Sequence, residues 1–225
     1  MCIRDSLSDG ALRDALARCG GHEPSFTLNL GFVARGDNGG VAVDTRRWAR
    51  LLGLLLAYFD AHCPDRGARV TSVYVNFADP GAARRRRARA PGARRAVVAR
   101  SRGARPRAPA RPGDARAAQA EPDRRTREDH VDRSNVGPSY LVAFGSFAGG
   151  RLRVPGRGPE PFDVSPAANR ARAGSPFFRF DAARETHGVE PFDGLRIAVS
   201  FYARRCDGLS AAARAELAGL GFRLP

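Results

Sequence analysis

One stretch restricts this chain more than any other. Residues 130–154, HVDRSNVGPSYLVAFGSFAGGRLRV, place an apolar run, a Gly-Gly pair and a second short run in succession. β-Branched and aromatic residues favour a pleated surface and Gly-Gly favours a turn, so the stretch predicts strand, tight turn and strand. Its head reads His-x-Asp. A second stretch, residues 186–204, THGVEPFDGLRIAVSFYAR, carries His187 near its head and Arg196 nine positions further on. Several short strands, with one long helix before them, predict an α+β, mainly β fold: a barrel or sandwich with helical support.

The rest of the chain fills in this outline. The first six residues, MCIRDS, read as translated adapter sequence, a non-native leader. Leu12 and Leu16 stand at helical spacing within residues 7–19. Residues 25–32 alternate Phe26, Leu28 and Leu30 with Thr27, Asn29 and Gly31, which predicts a strand. GDNGG at 36–40 predicts a turn. Asp44 or Thr45 is placed to cap a helix whose apolar face is Trp48, Leu51, Leu52, Leu55 and Phe59. VTSVYVNF at 70–77 predicts a strand with Tyr74 and Asn76 on one face and Val75 on the other. Inward polar groups of that kind need a partner, and a bound carboxylate is one.

Residues 155–175 read as loop, residues 177–180, 186–189 and 195–202 as strands, and Ser210 as the start of a final helix ended by Gly221. The turn at 191–194 is expected to fold the 195–202 strand back beside the His187 strand. The expected organisation is thus a leader at 1–6, N-terminal helices and first barrel strands at 7–80, an insert at 81–129, and a core with a C-terminal helix at 130–225.

Charge enters the argument mainly through that insert. The formal net charge is +15, but residues 81–129 hold 16 Arg against 5 acids, and the remainder is close to balanced. The basic residues are all Arg, which points to GC-rich coding and weakens the case for a nucleic-acid footprint drawn from total charge. The insert has no apolar periodicity. It reads as a disordered or looped segment: a solvated insert, an unspliced or frame-shifted piece of a GC-rich transcript, or an Arg-rich arm on phosphates. Cys2, Cys19, Cys63 and Cys206 are scattered, which excludes a disulfide framework and a zinc ribbon and fits a reducing compartment. The longest apolar run, residues 51–59, is too short to span a bilayer, and no secretory signal is visible. The expectation is a soluble intracellular protein without a membrane partner.

Residues i and i+2 of a strand face the same way, so His130 and Asp132 can approach one metal, with His187 supplied by a distant strand. Two imidazoles and one carboxylate on one face leave positions open, the donor set of non-haem Fe(II) oxygenases. Arg196 then offers a planar fork for a carboxylate, and the distal carboxylate of 2-oxoglutarate is the natural guest. His22 and His62 read as surface or packing residues.

Taken together, these motifs resemble the double-stranded β-helix (jelly-roll or cupin-like barrel) of the Fe(II)/2-oxoglutarate-dependent dioxygenases. Within that superfamily, HVDRSNVGPSYLVAFGSFAGGRLRV and HGVEPFDGLRIAVSFYAR are most similar to the TET/JBP-like nucleobase oxygenases. The resemblance covers residues 130–204 well and 70–77 loosely. It implies iron ligation by His130, Asp132 and His187 and co-substrate binding by Arg196. It also implies pocket roles for Asn135 and Ser139, and a co-substrate contact for Tyr74 and Asn76. Fe(II), 2-oxoglutarate and O2 are the implied cofactor and co-substrates. The implied substrate is a methyl group on a DNA or RNA base, which would admit a nuclear location, with Phe144, Phe147, Phe178 and Tyr202 available for stacking. Two alternatives stay open: a protein hydroxylase of the prolyl type, whose anchor is usually Lys, and a non-catalytic barrel that binds nucleic acid through the Arg-rich insert.

Overall fold

Alternation along four long strands decides the architecture. The computed structural model describes residues 8–20, 25–35, 38–79 and 128–224. The expected leader, His22 and nearly all of the Arg-rich insert lie outside them. Helix α1 (Asp9–Gly20) leads into β1 (Ser25–Arg35) and β2 (Asn38–Val41). Helices α2 (Val43–Arg47) and α3 (Ala49–His62) then precede β3 (Ser72–Ala78). After the insert come β4 (Asn135–Gly149), β5 (Leu152–Arg153), a 3-10 turn (Pro155–Arg157), α4 (Pro166–Ala173), β6 (Phe178–Phe180), β7 (Gly188–Val189), β8 (Phe192–Arg204) and α5 (Ala211–Gly219).

Six strands form one antiparallel sheet in the order β2-β1-β3-β8-β4-β6, and β5 and β7 form a second, small sheet. This is a mainly β, α+β fold. Strand β8 joins the two halves of the chain, because it pairs with β3 on one side and β4 on the other. Val73, Val75 and Phe77 of β3, Val142 and Phe144 of β4, and Ile197, Val199 and Phe201 of β8 all lie in one buried core with Leu12, Leu16, Leu52, Leu55 and Phe59 of the helices. Phe59 stacks on Phe201 at 4.7 Å and meets Tyr140 edge-on at 5.1 Å, which seats α3 across the sheet. Alternate residues point the other way. Leu141, Ala143 and Ala198 form a second core with Leu152, Val154, Val164, Phe178 and Phe180, so the small sheet covers part of the opposite face.

Four expectations are corrected. Residues 38–41 continue as β2 instead of ending a turn, because the backbone of Asn38–Val41 pairs with β1. Neither Asp44 nor Thr45 caps the long helix. The helical run starts after Ala42 and breaks at Trp48, and the buried Thr45 hydroxyl accepts the Gly31 N–H at 2.8 Å.

Residues 155–175 are not all loop, since they contain α4. Its signals are local: the Ser165 hydroxyl accepts the Ala168 N–H, Pro166 stands at the first turn, and Gly174 takes the left-handed closing conformation. Finally, residues 191–194 do not form a hairpin beside the His187 strand. Strand β7 pairs with β5, and β8 begins at Phe192 in the other sheet, so the chain crosses between sheets there. Among the described residues no helix is long and apolar enough to cross a membrane.

Candidate metal centre

His130 and His187 meet across an isolated antiparallel bridge in which each backbone N–H donates to the other's carbonyl at 2.9 Å. The chain leaves strand geometry directly after His130. The Asp132 N–H donates to Ala182 O at 2.7 Å, and the Asn135 N–H donates back to Asp132 O at 2.8 Å. His130 and Asp132 are therefore brought together by a bridge followed by a turn, not by the i, i+2 face of a continuous strand. The side chains converge all the same. Asp132 Oδ1 lies 3.9 Å from His130 Nε2 and Oδ2 lies 3.8 Å from His187 Nε2. One ligand atom from each of the three residues lies within 4.8 Å of the others.

Each imidazole is oriented by its own backbone. His130 Nδ1 lies 2.9 Å from Glu128 O, and His187 Nδ1 lies 2.9 Å from Glu185 O. A carbonyl accepts only, so both rings hold a proton on Nδ1 and turn Nε2 toward Asp132. Glu185 is itself held, since its carboxylate accepts from Arg157 at 2.5 and 2.8 Å and from the Asp181 N–H at 2.6 Å. Burial pushes the His187 imidazole below its ordinary value, outweighing the hydrogen bond to Glu185 O, and so favours the neutral, ligating form. His187 is 7% exposed, whereas the His130 and Asp132 side chains are 44% and 48% exposed, so the triad is walled on one side and open on the other.

A cavity of about 460 Å³ runs inward from the triad between the two sheets. Tyr74, Asn76, Asn135, Ser139 and Arg196 all line it with the three triad residues, so the eight residues singled out in the sequence share one space. Strand pairing explains this. Tyr74 stands opposite Ser200, Asn76 opposite Ala198 and Ala78 opposite Arg196, all on the face turned from the helices. Strand β4 contributes Leu141 opposite Ser200 on the same face. At the other end of β4 the register shifts between Val136 and Tyr140, and Asn135 Nδ2 donates to Ser139 Oγ at 3.4 Å across the irregularity.

Arg196 is the unusual member. It is 5% exposed, and its Nε donates to Gly150 O at 3.1 Å. Its Nη2 is buried with no hydrogen-bond partner among the described residues. Burial pushes the guanidinium down to about 10, with no carboxylate offsetting it. Asn29, Leu152, Phe180, Val189 and Phe192 also line the cavity and were not singled out from sequence. The signal for Asn29 was present, as the polar position between Leu28 and Leu30 in an alternating strand. Of the four aromatics offered for stacking, Phe144 belongs to the helix-side core and Phe178 to the second core, so neither is free for that role. Phe147 lies beside Arg196, and Tyr202 lines the cavity.

No protein-family model matches this sequence, and no curated protein is similar to it in sequence. Its structure is similar to that of NgTET1 in complex with 5mC DNA, with a TM-score of 0.50 and 13% identity over 91% of this chain and 70% of that one. It is also similar, at a TM-score of 0.45 and 11% identity over 91% of this chain and 84% of that one, to an oxidoreductase of the 2OG-Fe(II) oxygenase family from Burkholderia pseudomallei. The chain thus shares the fold of the NgTET1 structure.

Proposed function

We propose that this chain is a Fe(II)/2-oxoglutarate-dependent dioxygenase that hydroxylates a C–H bond, with a methyl group on a nucleic-acid base as its substrate. In this reading the large and small sheets are the two walls of a double-stranded β-helix, and residues 81–129 interrupt it between β3 and β4. The observation that carries the proposal is Arg196. A buried guanidinium with, among the described residues, an unpartnered Nη2 and no carboxylate is costly unless an anion completes it, and this one lines the same cavity as the triad.

The donor set fits the metal. Two imidazoles whose Nε2 atoms face one carboxylate are a donor set that suits Fe(II). When bound, Fe(II) and 2-oxoglutarate supply the O2 activation and the oxidising power for C–H hydroxylation. The chain's own residues do the rest. His130, Asp132 and His187 hold the metal. Arg196 anchors the distal carboxylate, and Tyr74, Asn76, Asn135 and Ser139 offer hydroxyl and amide groups along the cavity wall. Leu141, Leu152, Val189 and Ala198 give the same cavity an apolar wall. The open side of the triad, beside Tyr202, is where a substrate enters. A base held in a duplex has to be turned out of the stack to reach it. Support for the nucleic-acid substrate comes from the likeness to a structure solved with 5mC DNA.

The test is an anaerobic titration of the protein with Fe(II) and 2-oxoglutarate, following the weak visible charge-transfer band of the chelate. The band is expected in the wild type, absent in His187→Ala and Asp132→Ala, and shifted to much higher 2-oxoglutarate concentration in Arg196→Ala. Oligonucleotides bearing methylated bases are then screened for turnover. A well-folded protein that gives no band sinks the reading.

A further inference from the structure

We infer that Phe147 and Phe192 are positioning residues that grip the Arg196 guanidinium against their rings and hold it un-neutralised for a ligand carboxylate. This rests on the co-substrate reading of the cavity. The guanidinium carbon lies 5.7 Å from the centroid of each ring. The two rings are 6.4 Å apart at 72°, edge to face. Phe147 comes from the end of β4, and Phe192 opens β8 opposite Gly149, so the strands that place Arg196 also place its two rings.

The third contact is the Gly150 carbonyl on Nε. Gly150 has φ 68°, and a Cβ there would lie 3.0 Å from Arg196 Cδ and 3.1 Å from Nε, so the close approach and the conformation both call for glycine. Two rings, one carbonyl and, among the described residues, no carboxylate make a specific electrostatic setting. Ring faces are negative and attract the cation, yet they carry no net charge. An acid in their place would satisfy the arginine and leave nothing for an anionic ligand to gain. Aromatic neighbours keep the positive charge in place, desolvated and aimed, with its counter-ion still to come. That is the setting a carboxylate receptor requires, and it costs little ordering when the ligand arrives.

The experiment measures 2-oxoglutarate affinity calorimetrically on the full chain loaded with Mn(II), which permits work in air. Phe147→Leu and Phe192→Leu keep apolar bulk but remove the ring face. Each is expected to weaken 2-oxoglutarate about tenfold, because the guanidinium is no longer held in place for the carboxylate, while Mn(II) affinity stays at the wild-type value. Phe147→Tyr and Phe192→Tyr keep the ring and are expected to restore affinity to within about threefold. In turnover the leucine variants raise KM for 2-oxoglutarate and leave kcat unchanged. Should a leucine variant fail to fold, pentafluorophenylalanine at the same position keeps the shape while reversing the quadrupole, and is expected to weaken binding as leucine does. Wild-type affinity in the ring-less or fluorinated proteins overturns the inference, as do tyrosine variants that bind as weakly as leucine ones. A wild type that binds Mn(II) but no 2-oxoglutarate overturns the co-substrate reading itself, and is told apart because no variant then has an affinity to lose.

Discussion

The two faces of the six-stranded sheet are built from the same strands and obey opposite rules. On the helix side, β3, β4 and β8 present Val73, Val75, Phe77, Val142, Phe144, Ile197, Val199 and Phe201, nearly all fully buried and interlocked with Leu52, Leu55 and Phe59. On the cavity side, one residue along, the same strands present Tyr74, Asn76, Ser139, Arg196, Ala198 and Ser200. The first face is large, apolar and filled; the second is small or polar and leaves room. A period of two lets one strand serve both, so stability and chemistry are separable by a shift of a single residue. Substitutions on the two faces should therefore fail differently.

The largest effect on stability belongs to the helix face. Leu52→Ala empties a site with no solvent exposure and is expected to cost about 2–5 kcal/mol, read as a lower denaturant midpoint, with 2-oxoglutarate affinity unchanged in the fraction that remains folded. A comparable loss of affinity in the folded fraction would break the separation.

Arg196→Met is the counterpart on the cavity face. It removes a buried charge that has no carboxylate partner among the described residues while keeping bulk, and is expected to raise the stability of the ligand-free protein by about 1–2 kcal/mol. The same change is expected to abolish the stabilisation that 2-oxoglutarate gives. A destabilised Arg196→Met protein would show that the guanidinium serves the fold.

The smallest effect sharpens the helix side. Asp9 accepts from Tyr58 at 2.5 Å and from Arg170 at 2.9 Å, pinning α1, α3 and α4 together. Burial opposes ionisation of Asp9, but the hydrogen bonds from Arg170 and Tyr58 prevail and hold the carboxyl below its ordinary 3.8. A carboxyl lowered in the folded state stabilises it above that ordinary value and loses the contribution as pH falls through the lowered one. Asp9→Asn is thus expected to cost about 1 kcal/mol at neutral pH, discounted for partial exposure, and to flatten the decline of stability at acid pH.

The two faces were also unequally legible. The filled face could be read directly: alternation gave the strands at 25–32 and 70–77, and helical spacing gave the helix through Leu51, Leu52, Leu55 and Phe59. The cavity face could be read only where residue type carried chemistry of its own, as with His130, Asp132, His187 and Arg196. Val189 and Leu152 line the same space but look like ordinary strand residues, and their position depends on which sheet each strand joins. That partition was misread at 191–194, since a Pro-x-x-Gly stretch fits a hairpin locally and nothing local shows β7 pairing with β5. Phe147 and Phe192 were hidden for a related reason. Their role depends on a guanidinium that the fold, not the spacing, sets between them.

The position of β8 has a consequence in time as well as in space. Its residues 196–201 are paired into the sheet on both sides, whereas His130 and Asp132 hang on one bridge and a turn. Central strands exchange their amide hydrogens only in the rarest, most global openings, and segments held by a single bridge open far more often. Arg196 is therefore fixed on the slowest-breathing part of the molecule, and His130 and Asp132 on a faster one. The arginine end of the cavity is a rigid datum, and the triad end settles against it.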